Sequence, residues 1–209
     1  QSIFGQGITE SVLPYTMDSD SNYYFIPANM TELPCLVYLS CTGGKPEYID
    51  SVRAVWDSLG WAIAVCGPSR NHRDPRLNEV DILRLIARLD ASNRIDMDRV
   101  FLWGFSGQGA QALGTALRNP DLIRGTITAC AHLGIVSGLD PGASREQAFY
   151  IITREEDWNR QHNELLHAKL LEYHIADSLH MTGGEHSIGP HAEVFEGARF
   201  LNNIIPSGF

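Results

Sequence analysis

The chain has 209 residues and a mass of 23.2 kDa, enough for one domain over residues 1–209 with a single core and too little for a second of ordinary size. Its 16 Lys and Arg stand against 25 Asp and Glu, a formal charge of −9, and such a field repels nucleic acid and anionic lipid. No apolar run nears the ~20 residues that span a bilayer, and the first residues lack the basic-then-apolar pattern of an export signal.

Two alternating segments, residues 9–16 and 22–26, flank Asp18-Ser19-Asp20-Ser21 and predict a strand, a turn and a second strand. Continuous apolar runs follow at 35–39, 61–66, 100–103, 126–130 and 149–152, with a weaker one at 175–180. Runs this short, apolar on both sides, suit parallel strands covered on both faces by helices. The intervening segments have helical spacing. Residues 48–59 present Ile49, Val52, Val55 and Trp56 along one face, and Gly60 is placed to stop them. The 78–89 segment repeats Val80, Leu83, Ile86 and Leu89. Ala110, Ala112, Gly114 and Ala116 in 107–117 are small enough to let that helix approach the sheet, beside Leu113 and Leu117. Leu165, Leu166, Leu170 and Leu171 mark 159–173, and Val194, Phe195, Ala198, Phe200, Leu201 and Ile204 mark 192–205. Strands alternating with helices of this length predict a doubly wound α/β fold, whose ligands bind beyond the carboxyl ends of the strands.

Chemistry is therefore expected just after each apolar run. After 100–103 comes Gly104-Phe105-Ser106-Gly107-Gln108-Gly109. A strand turning sharply into a helix exposes a serine at the apex, and small neighbours relieve the crowding there. Gly104, Gly107 and Gly109 meet that demand, although Gln108 stands where a strict G-x-S-x-G pattern has its last glycine. Ser106 is the candidate nucleophile; the alternative is a helix N-cap. Phosphate cradling is disfavoured because no Lys-Ser/Thr follows the glycines.

The candidate base is His186, in the loop Met181-Thr182-Gly183-Gly184-Glu185-His186-Ser187 after the last expected strand, with His191 as the alternative. A neutral imidazole there can take the serine proton and return it to the leaving group. His162, His167 and His174 fall on or just after a polar helical face. The orienting acid should follow the 149–152 strand, where Glu155-Glu156-Asp157 offers three carboxylates. Asp157 is preferred because a short side chain at a turn into a helix is easily fixed; Glu156 and Glu155 remain alternatives, and Asp157 also reads as an N-cap. Oxyanion donors are expected from the backbone N–H of Gly107 and of Cys41, with Thr42 as alternative, in the loop Ser40-Cys41-Thr42-Gly43-Gly44-Lys45. None of Cys35, Cys41, Cys66 and Cys130 forms a CxxC pair, so isolated buried thiols are expected, with no metal and no cofactor. Lys45, Arg70 and Arg73, all after strand ends, offer positive charge for a local carboxylate or phosphate, against the simpler reading of surface placement.

Residues 93–109, with Asp96 and Arg99 leading into the strand and Gly104-Phe105-Ser106 through Gly109 after it, resemble the α/β-hydrolase superfamily, and within it polyhydroxybutyrate depolymerase-like, feruloyl esterase-like and dienelactone hydrolase-like esterases. The resemblance spans residues 8–205 and is most specific at 96–109 and 183–186. It implies an α/β-hydrolase fold with a mostly parallel sheet of about eight strands, a serine esterase acting through an acyl-enzyme, Asp157 as the acid, and Gly184-Glu185-His186 as the base loop. Such enzymes often carry His-Gly where this chain has Ser40-Cys41, and Arg154 replaces a usual glycine. Residues 133–147 are too few for a large lid domain, so an open cleft is expected with Leu133, Ile135, Val136 and Leu139 along one wall. The expected partner is a small-molecule or polymer-end ester. A thioesterase or acyltransferase with the same three residues, and a catalytically silent binding protein of this fold, are the alternatives. Resemblance to secreted polymer- and plant-ester-degrading enzymes points to export as one location.

Overall fold

The computed structural model describes residues 15–134 and 143–205. Most of the expected 9–16 strand, and the expected wall residues Ile135, Val136 and Leu139, lie outside them. Eight strands form one sheet: β1 (Thr16–Met17), β2 (Tyr23–Phe25), β3 (Leu33–Leu39), β4 (Ala62–Val65), β5 (Ile95–Phe105), β6 (Gly125–Ala129), β7 (Ala148–Arg154) and β8 (Ala176–Thr182). Their order is β1-β2-β4-β3-β5-β6-β7-β8, antiparallel at the two β2 pairings and parallel from β4 to β8. The chain moves from β3 to β4 in one direction and crosses back to β5 on the other side of β3. That reversal puts the carboxyl ends of β3 and β5 side by side, the place where doubly wound sheets hold ligands.

The two faces of the sheet follow from the period of two along each strand. Leu36 and Tyr38 of β3, with Phe101 and Trp103 of β5, point to one face, where α1 (Glu47–Ser51), α2 (Arg53–Leu59) and α6 (His191–Ile204) bring Ile49, Val55, Val194, Ala198 and Leu201. Cys35, Val37 and Leu39, with Val100 and Leu102, point to the other, against Ile82, Leu85, Ile86 and Leu89 of α3 (Pro75–Ala91) and Ala112 and Ala116 of α4 (Ser106–Arg118). Phe149 and Ile151 of β7 extend that second layer against Leu166 and Leu170 of α5 (Arg160–Glu172). Burying each such side chain is worth about 1.5–3 kcal/mol.

Local chemistry moves several expected boundaries. The 48–59 helix divides at Val52 (φ −113°, ψ 18°), because the Ser51 hydroxyl donates to Tyr48 O at 2.7 Å and the bonds through Val52 shorten to i→i−3. Gly60, in the left-handed region at φ 71°, ends α2 as expected. α3 begins three residues before 78, with the Asp74 carboxylate accepting from Arg76 N–H and Pro75 at its first position. Its buried stripe is Ile82, Leu85, Ile86 and Leu89, so Val80 faces solvent, not the core. On α5 the buried positions are Asn163, Leu166 and Leu170, and Leu165 and Leu171 are exposed. None of the helices among the described residues is long and apolar enough to cross a membrane.

Candidate active site

Ser106 is the first residue of α4, directly after β5, and sits at φ 53°. A non-glycine residue in the left-handed region is strained and persists only where its surroundings hold it. Here the strand-to-helix turn holds it: a Cβ on Gly104 would lie 2.3 Å from Gln108 O, and one on Gly109 2.9 Å from Gly104 O, so two glycines let β5 and α4 meet at this angle. Gln108, in the place of the expected small residue, is buried and accepts from the Ser69 hydroxyl at 2.7 Å. The larger side chain is thus stowed under the turn.

His186 reaches this serine from the loop after β8, and Asp157 approaches from the loop after β7. His186 Nε2 lies 2.9 Å from Ser106 Oγ, and His186 Nδ1 lies 2.7 Å from Asp157 Oδ1. An ionised carboxylate only accepts, so Nδ1 carries the proton and Nε2 faces the hydroxyl as an acceptor. The three residues expected from sequence therefore meet. Glu155 and Glu156 are exposed, as is His191 at the start of α6, and none of the three joins the chain of contacts. The capping expectation for Asp157 is corrected: Asn159 is the N-cap of α5, with no side-chain cap bond, and Asp157 Oδ1 instead accepts from Asn159 N–H at 2.9 Å in the turn before the helix, while Thr153 Oγ1 donates to Oδ2 at 3.3 Å. Burial acts to raise the Asp157 carboxyl, but the bonds from Asn159 N–H, His186 and Cys130 outweigh it and leave the group below its usual value.

Cys130 Sγ, Asp157 and His186 present three ligand-type atoms within 4.8 Å of one another, the arrangement here that could hold a metal. Burial, and after it the Asp157 carboxylate, push the Cys130 thiol up to about 12, so it stays a protonated donor, and it bonds Ser187 O at 3.5 Å. Asp157 Oδ1 and His186 Nδ1 are bonded to each other at 2.7 Å. All four cysteines are free thiols; Cys35, Cys66 and Cys130 are buried, whereas Cys41, expected to be buried, is half-exposed.

Cys41 donates its thiol to Phe105 O at 3.2 Å, which sets its backbone beside the serine turn. Burial raises the thiol above its usual value, against the Gln108 N–H and the Asn71 side chain. Thr42 N–H donates to Ser40 Oγ at 3.3 Å, so of the two expected donors in this loop Thr42 is already engaged. The side chain of Asn71 covers Gly107, where a Cβ would stand 2.6 Å from Asn71 Oδ1.

Sequence reasoning missed the aromatic bracket around His186. Trp158 stacks on the imidazole at 3.8 Å between centroids and 20° between planes, and Phe105 lies tilted at 4.9 Å on it. Trp158 is 72% exposed, and the signal for it was its place directly after Asp157. Also missed were the polar residues of the cleft beside Ser106. Leu133 packs against the core cluster that holds Phe149 and Ile151, and the described cleft walls are largely polar, including Asn71, His72 and His132. Burial, with the His162 ring close by, holds His132 below the usual histidine range.

No protein-family model matches the chain, and no curated protein does. Solved structures do. A ferulic acid esterase superimposes over 92% of this chain and 96% of its own with a TM-score of 0.72 and 12% identity. An esterase of Pyrobaculum calidifontis covers 88% of this chain and 79% of its own at TM-score 0.65 and 16% identity. A thermostable carboxylesterase cloned from a metagenomic library covers 93% and 88% at TM-score 0.69 and 13% identity. The chain has the α/β-hydrolase fold. Within that α/β-hydrolase fold, Ser106 opens α4 directly after β5, and Asp157 and His186 occupy the loops after β7 and β8, in the chain order of the expectation.

Proposed function

We propose that the protein is a serine hydrolase that cleaves carboxylic esters through an acyl-enzyme. Ser106 Oγ attacks the acyl carbonyl, His186 Nε2 takes its proton and delivers it to the departing alkoxide, and Asp157 holds the imidazole in the required tautomer. The backbone N–H groups of Gly107 and Cys41 receive the developing oxyanion, each worth roughly 3–4 kcal/mol of barrier. Water then attacks the acyl-enzyme, with His186 as base.

The observation that carries this reading is the unbroken line from Asp157 Oδ1 through His186 to a serine oxygen 2.9 Å away, on a residue held at φ 53°. A serine serving only as a helix cap has no need of an imidazole on its hydroxyl. The esterase names of the compared structures accord with ester chemistry for this chain. The test is covalent. A fluorophosphonate should label the folded protein stoichiometrically at Ser106, located by peptide mass, and Ser106→Ala and His186→Ala should abolish labelling and turnover of p-nitrophenyl acetate. Intact, folded protein that takes no label ends the proposal.

A further inference from the structure

The cleft beside Ser106 opens between the start of α4 and the loop from Arg70 to Pro75, with a volume of about 300 Å³. Among the described residues its walls carry Arg70, His72, Arg73 and His132 and no Asp or Glu, in a chain whose formal charge is −9. The nearest carboxylates in sequence are spoken for: Asp74 caps α3, and Asp81 pairs with Arg73 at 2.5 Å. Arg70 differs from Arg73. Among the described residues its guanidinium has no hydrogen-bond or ion-pair partner, whereas many arginines elsewhere are paired, among them Arg53, Arg88, Arg118, Arg124, Arg154 and Arg160. Its backbone is nonetheless fixed on both sides by one buried side chain. Asn78 Oδ1 accepts from Arg70 N–H at 3.3 Å and Asn78 Nδ2 donates to Arg70 O at 2.9 Å. The fold spends a buried asparagine inside a helix on holding an unneutralised arginine at the mouth of the cleft. His72 stands next to it at φ 59°, a second strained residue on the same rim. His132 Nδ1 accepts from Gly134 N–H at 3.1 Å, which leaves its Nε2–H as a donor.

The part of the substrate that enters this cleft follows from the proposed ester reaction, on which this inference rests. His186 must give a proton to the leaving oxygen, so the alcohol lies on the His186 and Trp158 side. Ser106 and Gly107 line the cleft, but His186, Asp157 and Trp158 do not. The acyl chain is therefore what fills it. At ~30 Å³ for a water-sized group, the cleft holds about ten non-hydrogen atoms.

We propose that the acyl portion carries a terminal carboxylate bound by Arg70, so that the preferred substrates are half-esters of short dicarboxylic acids. An arginine fork matches a carboxylate with two parallel bonds. The acyl carbon gains the bond to Ser106 Oγ and loses the one to the alcohol oxygen, which leaves with the proton from His186; water then releases the free dicarboxylate.

The test compares the p-nitrophenyl half-ester of glutaric acid with p-nitrophenyl pentanoate, which have the same leaving group and chain length and differ in a terminal carboxylate against a methyl. In 50 mM salt the wild type should prefer the half-ester in kcat/KM at least tenfold, and Arg70→Gln should reduce that preference at least tenfold. High salt should erode it, since Arg70 is exposed and screening shortens the reach of its charge. Calorimetry with glutarate alone, on wild type and Arg70→Gln, reads the anion site without any turnover. Binding by the wild type that is lost in Arg70→Gln supports the site even if Ser106 takes no fluorophosphonate, a result that would overturn only the esterase reading. An equal preference in both proteins, a preference for the pentanoate, or no glutarate binding by the wild type overturns this inference while leaving labelling at Ser106 intact.

Discussion

Replacing Glu193 by Leu should cost more stability than any exposed substitution in the chain, and replacing Arg154 by Met alongside it should return most of the loss. Arg154 is the last residue of β7 and Glu193 lies in the first turn of α6, with side chains 3% and 10% exposed. The guanidinium grips the carboxylate with two bonds, at 2.9 and 2.6 Å, and also donates to Thr182 Oγ1 at the end of β8. Removing one member leaves a buried, uncompensated charge, a loss of about 3–5 kcal/mol, whereas replacing both by apolar groups of similar volume is often neutral. For a domain of this size each kcal/mol moves Tm by about 2–4 °C, so the single variant should melt about 6–20 °C lower. Thermal and urea unfolding followed by circular dichroism, run on wild type, both singles and the double, give the coupling energy directly. Because Arg154 precedes Asp157 by three residues and Thr182 precedes His186 by four, the single variants should also lower kcat on p-nitrophenyl acetate at temperatures where they remain folded. A Glu193→Leu protein that melts within 2 °C of wild type, or a double variant no more stable than the worse single, would refute the clamp.

Asp157→Asn should lower kcat by ~10⁴ through the wrong imidazole tautomer, while Glu155→Gln and Glu156→Gln, at exposed positions, should stay within a factor of three; steady-state kinetics on one ester decides between them. Since the folded Asp157 carboxyl lies below its usual 3.8, its contribution to stability is complete above that pH and is lost as the pH falls through the lower folded value. The Tm gap between wild type and Asp157→Asn should accordingly be flat from pH 7 to about 4 and shrink below it; a gap that is constant down to pH 2 contradicts the assignment. Trp158→Ala should leave Tm nearly unchanged, because the ring is 72% exposed, yet lower kcat by releasing a stacking contact worth about 0.5–1.5 kcal/mol. Gly104→Ala should fail to give folded protein, since the added methyl meets the Gln108 carbonyl at 2.3 Å and backbone has nowhere to move; soluble, cooperatively melting protein would refute that.

The strands, and the meeting of Ser106, Asp157 and His186, were legible because each rests on a local signal: an apolar run, and a reactive side chain within a few residues of its end. The mostly parallel sheet of eight strands with helices on both faces came out as expected. What a single sequence conceals is orientation. Val80 and Ile82 are equally apolar, and only the packing of α3 decides that Ile82 is buried. The Ser51 hydroxyl that divides the first helix looks in sequence like any serine in a helix. The polar side of the cleft was hidden for the same reason: His72 and His132 are far apart in the chain and line one cleft only because the loops after β4 and β6 flank the start of α4. Arg70 was visible as a charge after a strand end, but its lack of a partner was not.

One oxygen, Asp157 Oδ1, accepts both from Asn159 N–H in the turn that leads into α5 and from the imidazole of His186. The approach to α5 and the set of the imidazole therefore hang on a single atom, and neither can be retuned alone. Under the proposed ester chemistry, loosening of the 157–159 turn would misplace the imidazole while the sheet behind it stayed whole, so that turn is where local melting would reach the serine.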